Sequence, residues 1–304
     1  MIQIAEHDLQ LDLFHGQLHR SYADVYARLS GSFDATVAWN DGWRLEGYLE
    51  GPRSENSRTL PAQFRLQDMG AGESLLARAQ LPDPCSWAPG LPLLYDVHVQ
   101  LHVDGLPAWE ADQVIGLRQL GAVQGRLQLE HQPWSLTGAH QSQLHQLIVP
   151  PADEVLLLEG IQLPWMEHCS EQGGWLLTAV DGTASDTALA DVLRDCARWA
   201  ANWGVVVRDL SPDREIPTGI APNLLVGQWF SAAEEVEPAA WADMAVVEVE
   251  DPERFSELTG GCPIPVIAAH RGQGPGDWED ARAACRELRH QLAAFRQFAG
   301  YIVV

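Results

Sequence analysis

The sequence contains no lysine. All 19 of its basic residues are arginines, set against 42 acidic ones, for a net charge of -23. Such a surface repels the phosphates of nucleic acids and the headgroups of anionic membranes, which argues against both as partners. Cysteine is sparse: Cys85, Cys169, Cys196, Cys262 and Cys285 stand far apart, their number is odd, and no two form a C-x-x-C pair. Neither a disulfide framework nor a metal cluster is expected from them, only buried free thiols, and no cofactor is called for. No apolar run reaches membrane-spanning length. The opening residues, MIQIAEHDLQLDLFHG, carry acids early and lack the basic and apolar regions of a signal peptide, so the expectation is a reducing, cytoplasmic setting. There is no G-x-G-x-x-G, no P-loop and no G-x-S-x-G, and nucleotide binding and serine-hydrolase chemistry therefore find no support.

What is present is enough for two cores: 304 residues, 46% of them hydrophobic, with 12 tryptophans. Up to about residue 120 the text reads as strands and turns. ATVAWN-DG-WRLEGYLEG holds two strands around Asp41-Gly42, PAQFRLQDMGAGESLLARAQL repeats the scheme around Gly70 and Gly72, and ADVYARL reads as a further strand. Tyr95, Val97, Val99, Leu101 and Val103 alternate with polar residues, as in an antiparallel strand with one buried face. Strands so spaced predict a β-sandwich. Beyond about residue 120 the grammar changes. A strand from Trp134 to Ala139 is followed by EVLLLEG, GWLLTAVD, GVVVRDL, NLLVGQWF, MAVVEVE, PVIAAHR and GYIVV, with amphipathic helices in DTALADVLRDCARWAANW and GDWEDARAACRELRHQLAAFRQF. Eight apolar strands without alternation predict a parallel sheet covered on both faces, closed as a compact, degenerate (β/α)8 TIM-like barrel. A doubly wound open sheet is the alternative. About 180 residues remain for the barrel, short against the usual ~250, so several helices must be stunted or absent; only SPDREIPTGIAP joins the fourth strand to the fifth.

Trp87-Ala88-Pro89-Gly90-Leu91-Pro92-Leu93-Leu94-Tyr95 resembles the W-[ST]-P-x-x-P-x-L-Y segment of glycoside hydrolase family 2, which includes β-galactosidases, β-mannosidases and β-glucuronidases. Gly116-Leu117-Arg118 looks like the family's G-F-R, and Glu130-His131-Gln132-Pro133 sits where N-G-K-P makes a hairpin turn. Leu136-Thr137-Gly138-Ala139-His140 looks like its first barrel strand, and HCSEQGGWLLTAVDG resembles the helix end that runs into the third. The recognisable text covers about residues 85 to 180. The resemblance implies an immunoglobulin-like β-sandwich over residues 1–122 and the barrel over 123–304, without the family's preceding jelly-roll module.

It also implies a retaining mechanism, which needs two carboxyls about 5–5.5 Å apart at the mouth, carried in the family by the ends of strands four and seven. This sequence supplies neither. GVVVRDLSPDRE offers only Asp209 and Asp213 near the fourth strand, each a methylene shorter than glutamate, and PIPVIAAHRGQG places His270 and Arg271 at the seventh. A relocated pair would use Asp209 with Glu248 or Glu250 from VVEVED. His140, Asp181, Arg208, Asp209, Trp229, His270 and Arg271 are the candidate ligand-binding residues at the mouth, Trp229 as a platform for a sugar ring, with Trp165 and Trp175 as further aromatics there. His140 and His270 lack metal-ligand spacing, so no metal is expected. The reading is a glycoside-hydrolase-like pseudoenzyme, a carbohydrate-binding or protein-interaction scaffold, with an active hydrolase using the relocated pair as the alternative. An exposed sheet edge would also allow oligomerisation.

Overall fold

A computed structural model of the chain describes residues 9–31, 42–140, 147–210, 214–271, 278–295 and 298–304. The chain divides into two compact units. The first holds residues up to Trp87 together with Leu91–Arg118, the second Ala88–Gly90 together with everything from Gln119 onward.

The first unit is built from β1 (Leu9–His15), β2 (Tyr22–Gly31), β3 (Trp43–Arg53), β4 (Ala62–Ala71), β5 (Leu75–Pro82), β6 (Leu94–Val103) and β7 (Leu106–Ile115). All pairings are antiparallel, in the order β1-β2-β5-β4-β3-β6-β7. An immunoglobulin sandwich splits this order into four strands and three. Here β4 pairs with β3 through Ala62–Leu66 and with β5 through Gln67–Ala71, which joins the halves into one curled sheet. The alternation in β6 does what period two dictates: Tyr95, Val97, Val99 and Leu101 are buried against Val25, Leu45 and Leu49. The stiff segment before β6 is anchored at both ends. Buried Trp87 donates its backbone N–H to Leu117 O at 2.7 Å, and Tyr95 Oη accepts the Cys85 N–H at 2.9 Å. The Gly70–Gly72 hairpin stands where its glycines predict it, between β4 and β5. Asp41 and the strand before it lie outside the described residues.

The second unit opens with a three-stranded sheet, β8 (Leu120–Val123), β9 (Arg126–Leu129) and β10 (Gln132–Trp134), followed by eight parallel strands that close into a barrel. These are β11 (Leu136–His140), β12 (Glu154–Glu159), β13 (Trp175–Asp181), β14 (Asn202–Arg208), β15 (Leu225–Phe230), β16 (Met244–Glu248), β17 (Val266–His270) and β18 (Gly300–Val303). Each pairs in parallel with the next, and β18 returns to β11 with Leu136 opposite Gly300. The open-sheet alternative therefore falls: ring closure leaves no sheet edge in the barrel.

Among the described residues only four helices accompany these strands: α1 (Leu163–Gln172), α2 (Asp186–Ala197), α3 (Pro252–Thr259) and α4 (Trp278–Leu292). Ser185 caps α2 by accepting the Ala188 N–H at 3.2 Å, and the helix ends at Ala197, so Trp199 and Ala200 lie beyond it rather than on its face. Between β14 and β15 the described residues hold only a 3-10 turn, Thr218–Ile220. Both faces of the strands are covered, which is why they read as unbroken apolar runs; the first six residues of β13 and of β14 are all buried. Inside the ring, Gly204 and Gly227 make room for Met244. A Cβ on Gly227 would meet Met244 Cγ at 2.8 Å, and one on Gly204 would meet Met244 Cε at 3.0 Å. The interior is thus filled by a side chain reaching across from β16, as a packed barrel requires.

Candidate functional site

The two ends of the barrel differ in chemistry. At the N-terminal ends of the strands, Trp175 begins β13, Trp203 is the second residue of β14, and Trp134 ends β10 just ahead of β11. Trp134 packs on both, with ring centroids 5.6 Å from Trp175 and 5.3 Å from Trp203. Trp175 and Trp203 are fully buried and form an apolar floor. The expectation that Trp175 lies at the mouth is corrected by its place in the strand: it opens β13, so it stands at the other end. Trp165 is buried in α1.

At the C-terminal ends lies a cavity of about 890 Å³. Its lining includes His140 at the end of β11, Glu159 at the end of β12, Arg208 and Asp209 at β14, Trp229 on β15, Glu248 at the end of β16 and Arg271 just past β17. The side chains form a continuous chain of contacts. His140 Nε2 lies 2.9 Å from Glu159 Oε1, and Arg208 Nη1 donates to the same oxygen at 2.6 Å. The Arg208 guanidinium stacks over the Trp229 ring, 4.1 Å from its centroid. Trp229 Nε1 donates to Glu248 Oε1 at 3.1 Å, and Arg271 Nη2 donates to it at 2.9 Å.

Local structure explains the placement. In β16 the odd residues Ala245 and Val247 face outward into a cluster with Phe255 and Leu288, so the even set, with Met244 and Glu248, faces the ring interior. The same parity places Ala268 of β17 outward, and His270 with it. Asp209 sits in the left-handed region at φ 50°, a turn that ends β14 and exposes its carboxylate to the cavity. For Glu159, partial burial pushes the carboxyl upward in pKa, but the hydrogen bond from His140 and the charge of Arg208 outweigh it and hold the group below the usual carboxylate range. The rim adds Glu234, Glu235 and Glu237 from the segment after β15.

Of the candidate residues, His140, Arg208, Asp209, Trp229, Glu248 and Arg271 line this one cavity. Three others do not. Asp181 accepts the Thr183 N–H at 2.7 Å in its own turn; that bond lowers its carboxyl pKa. His270 is exposed with Nδ1 3.4 Å from Val249 O, and Glu250 is exposed two residues beyond the end of β16. Asp213 lies outside the described residues. Glu159 is the residue that sequence reasoning missed, although it closes EVLLLE just as Arg208 closes its strand. Among the described residues no group of three or more His, Cys, Asp or Glu side chains is arranged to hold a metal ion, and no helix is long and apolar enough to cross a membrane.

The chain is similar in structure to several family 2 glycoside hydrolases and β-glucuronidases at low sequence identity. It matches a Bacteroides uniformis β-glucuronidase with a TM-score of 0.63 at 11% identity, over 96% of this chain and 45% of that one. A glycosyl hydrolase family 2 member from Bacteroides cellulosilyticus gives a TM-score of 0.65 at 12% identity, over 96% of this chain and 43% of that one. For Bifidobacterium dentium β-glucuronidase the TM-score is 0.63 at 10% identity, over 97% and 60%. The chain thus spans about half the length of these proteins. No family model and no curated protein matches it.

Proposed function

We propose that the chain is a glycoside-hydrolase-like protein that does not hydrolyse, and that its barrel mouth binds a neutral carbohydrate. The observation that carries this reading is the state of the mouth's strand-end carboxylates. Glu159 and Glu248 are each held by an arginine, Arg208 and Arg271, and those arginines stand at the ends of the fourth and seventh strands, where the family resemblance calls for the catalytic carboxyls. A glycosidase acid must keep its proton near neutral pH, whereas Glu159 is pulled the opposite way. Carbohydrate as the ligand rests on likeness of fold and on a wide cavity lined by fixed hydrogen-bonding groups. Its carboxylates outnumber its arginines, which disfavours an acidic sugar.

The second reading is an active hydrolase with a relocated pair. It is favoured by one fact, that Asp209 and Glu248 line the same cavity; Glu250 does not. A panel of aryl glycosides separates the two. The expected outcome is no turnover above that of an Asp209→Asn variant. Turnover that this variant abolishes would establish the hydrolase. A glycan array gives the binding arm: response to neutral glycans, weakened by Trp229→Ala, supports the carbohydrate site, and silence across the array points to a protein-interaction scaffold.

A further inference from the structure

A second concavity, of about 320 Å³, lies on the outer wall of the barrel between α4 and the strands β11 and β12. Gly138 and Cys285 line its base, the Cys285 thiol donating to Gly138 O at 3.1 Å. One wall is a single face of α4 carrying Arg282, Arg286 and Arg289, spaced four and then three residues apart. Arg282 is fixed. Its Nε bonds to Glu154, whose carboxylate is buried and also accepts from Trp278 Nε1, and its Nη1 reaches Glu279 Oε1 at 2.9 Å. Arg286 and Arg289 have no ion-pair partner among the described residues, and the remaining carboxylate in the groove is exposed Asp153. With Glu154 committed to Arg282, the groove is positive on a chain whose net charge is -23.

We propose that this groove is a binding site for a tetrahedral oxyanion, the phosphate group of a small phosphorylated molecule. Arg286 and Arg289 stand nearly one helical turn apart on the face of α4 that lines the groove. They share the oxygens of a phosphate, whereas one guanidinium fork already saturates the two coplanar oxygens of a carboxylate. The charge of the whole chain turns away nucleic acids and other polyanions, so the ligand is a small molecule that carries its charge in one group. The volume lies at the lower end of small-ligand sites, which begin at about 300 Å³. The groove shares no lining residue with the mouth.

The probe is inorganic phosphate, titrated against the whole chain by calorimetry and by thermal unfolding, with sodium chloride and sodium acetate at matched ionic strength as references. The expected result is saturable stabilisation by phosphate alone, with the half-saturating concentration raised at least tenfold in the double variant Arg286→Gln/Arg289→Gln and unchanged in Arg254→Gln, an exposed arginine of α3. Both groove positions are exposed, so the double variant retains the fold. Stabilisation by chloride or acetate equal to that by phosphate overturns the proposal, as does a double variant that titrates like the parent.

Discussion

The floor and the mouth stand at opposite ends of the same eight barrel strands, yet they are held by different forces. The floor is three tryptophans in contact, two of them fully buried. The mouth is a chain of hydrogen bonds and ion pairs around a cavity of about 890 Å³. A buried aromatic contributes through the area it removes from water, and partly exposed ion pairs contribute little after solvent screening. Stability therefore belongs to one end and chemistry to the other, the division expected of a barrel whose loops vary at its C-terminal face.

The comparison can be broken first at the floor. Trp203→Ala is expected to cost about 3–5 kcal/mol in urea unfolding; a cost below about 1 kcal/mol, the scale of a screened ion pair, would erase the distinction.

Acid should act on the mouth, where carboxylates are held by cations, rather than on the tryptophan contacts of the floor. Glu159 has a folded pKa below its unfolded one. Its contribution is present above about pH 4.3 and is lost as the pH falls through the folded value. His15, in the sheet unit, has the opposite ordering of charge. Burial lowers its pKa to about 4, with the Gly16 carbonyl pulling it up and Arg118 adding to the lowering. The unfolded chain takes up that proton first, so stability falls between about pH 6.5 and pH 4 by about 3 kcal/mol. A His15→Gln variant should flatten the upper window and leave the lower; Glu159→Gln should do the reverse. Acid-unfolding curves that coincide for both variants and the parent would refute both assignments.

The smallest effect is expected at the stack. Arg208→Gln removes the guanidinium from Trp229, with a stability change of about 1 kcal/mol or less and a change in Trp229 fluorescence measured against a Trp229→Phe reference. An unchanged emission spectrum would mean that the stack does not persist in solution.

Much of this architecture was legible in the sequence because both faces of each barrel strand are buried. Continuous apolar runs announce seven of the strands, the hairpin before it announces the first, and the charge gradient along α4 announces its direction. The same property hides the site. A run without alternation does not say which of its last residues turns inward. Glu248 and Glu250 share a parity, but β16 ends at the first of them. His270 and Arg271 are adjacent in sequence, and only Arg271 lines the cavity. Asp181 meets the same criterion as Arg208, the last polar residue of a strand, but its carboxylate is used by the turn it begins. Glu159 was readable by that criterion and stood in a strand end no motif pointed to. In the first unit, alternation gave the inward face of β6 directly, while the continuity of β4 across both halves of the sheet had no local signal.

The pairing of Leu136 with Gly300 has a kinetic consequence. The ring closes between segments at opposite ends of the barrel sequence, and so distant a contact forms late because the loop entropy must be overcome first. The mouth spans that seam: His140 ends β11 and Arg271 follows β17, the two neighbours of β18. Trp229 on β15 meets Arg208 of β14 and Glu248 of β16, strands away from that seam, so its emission during refolding reports assembly of this part of the mouth rather than closure of the ring.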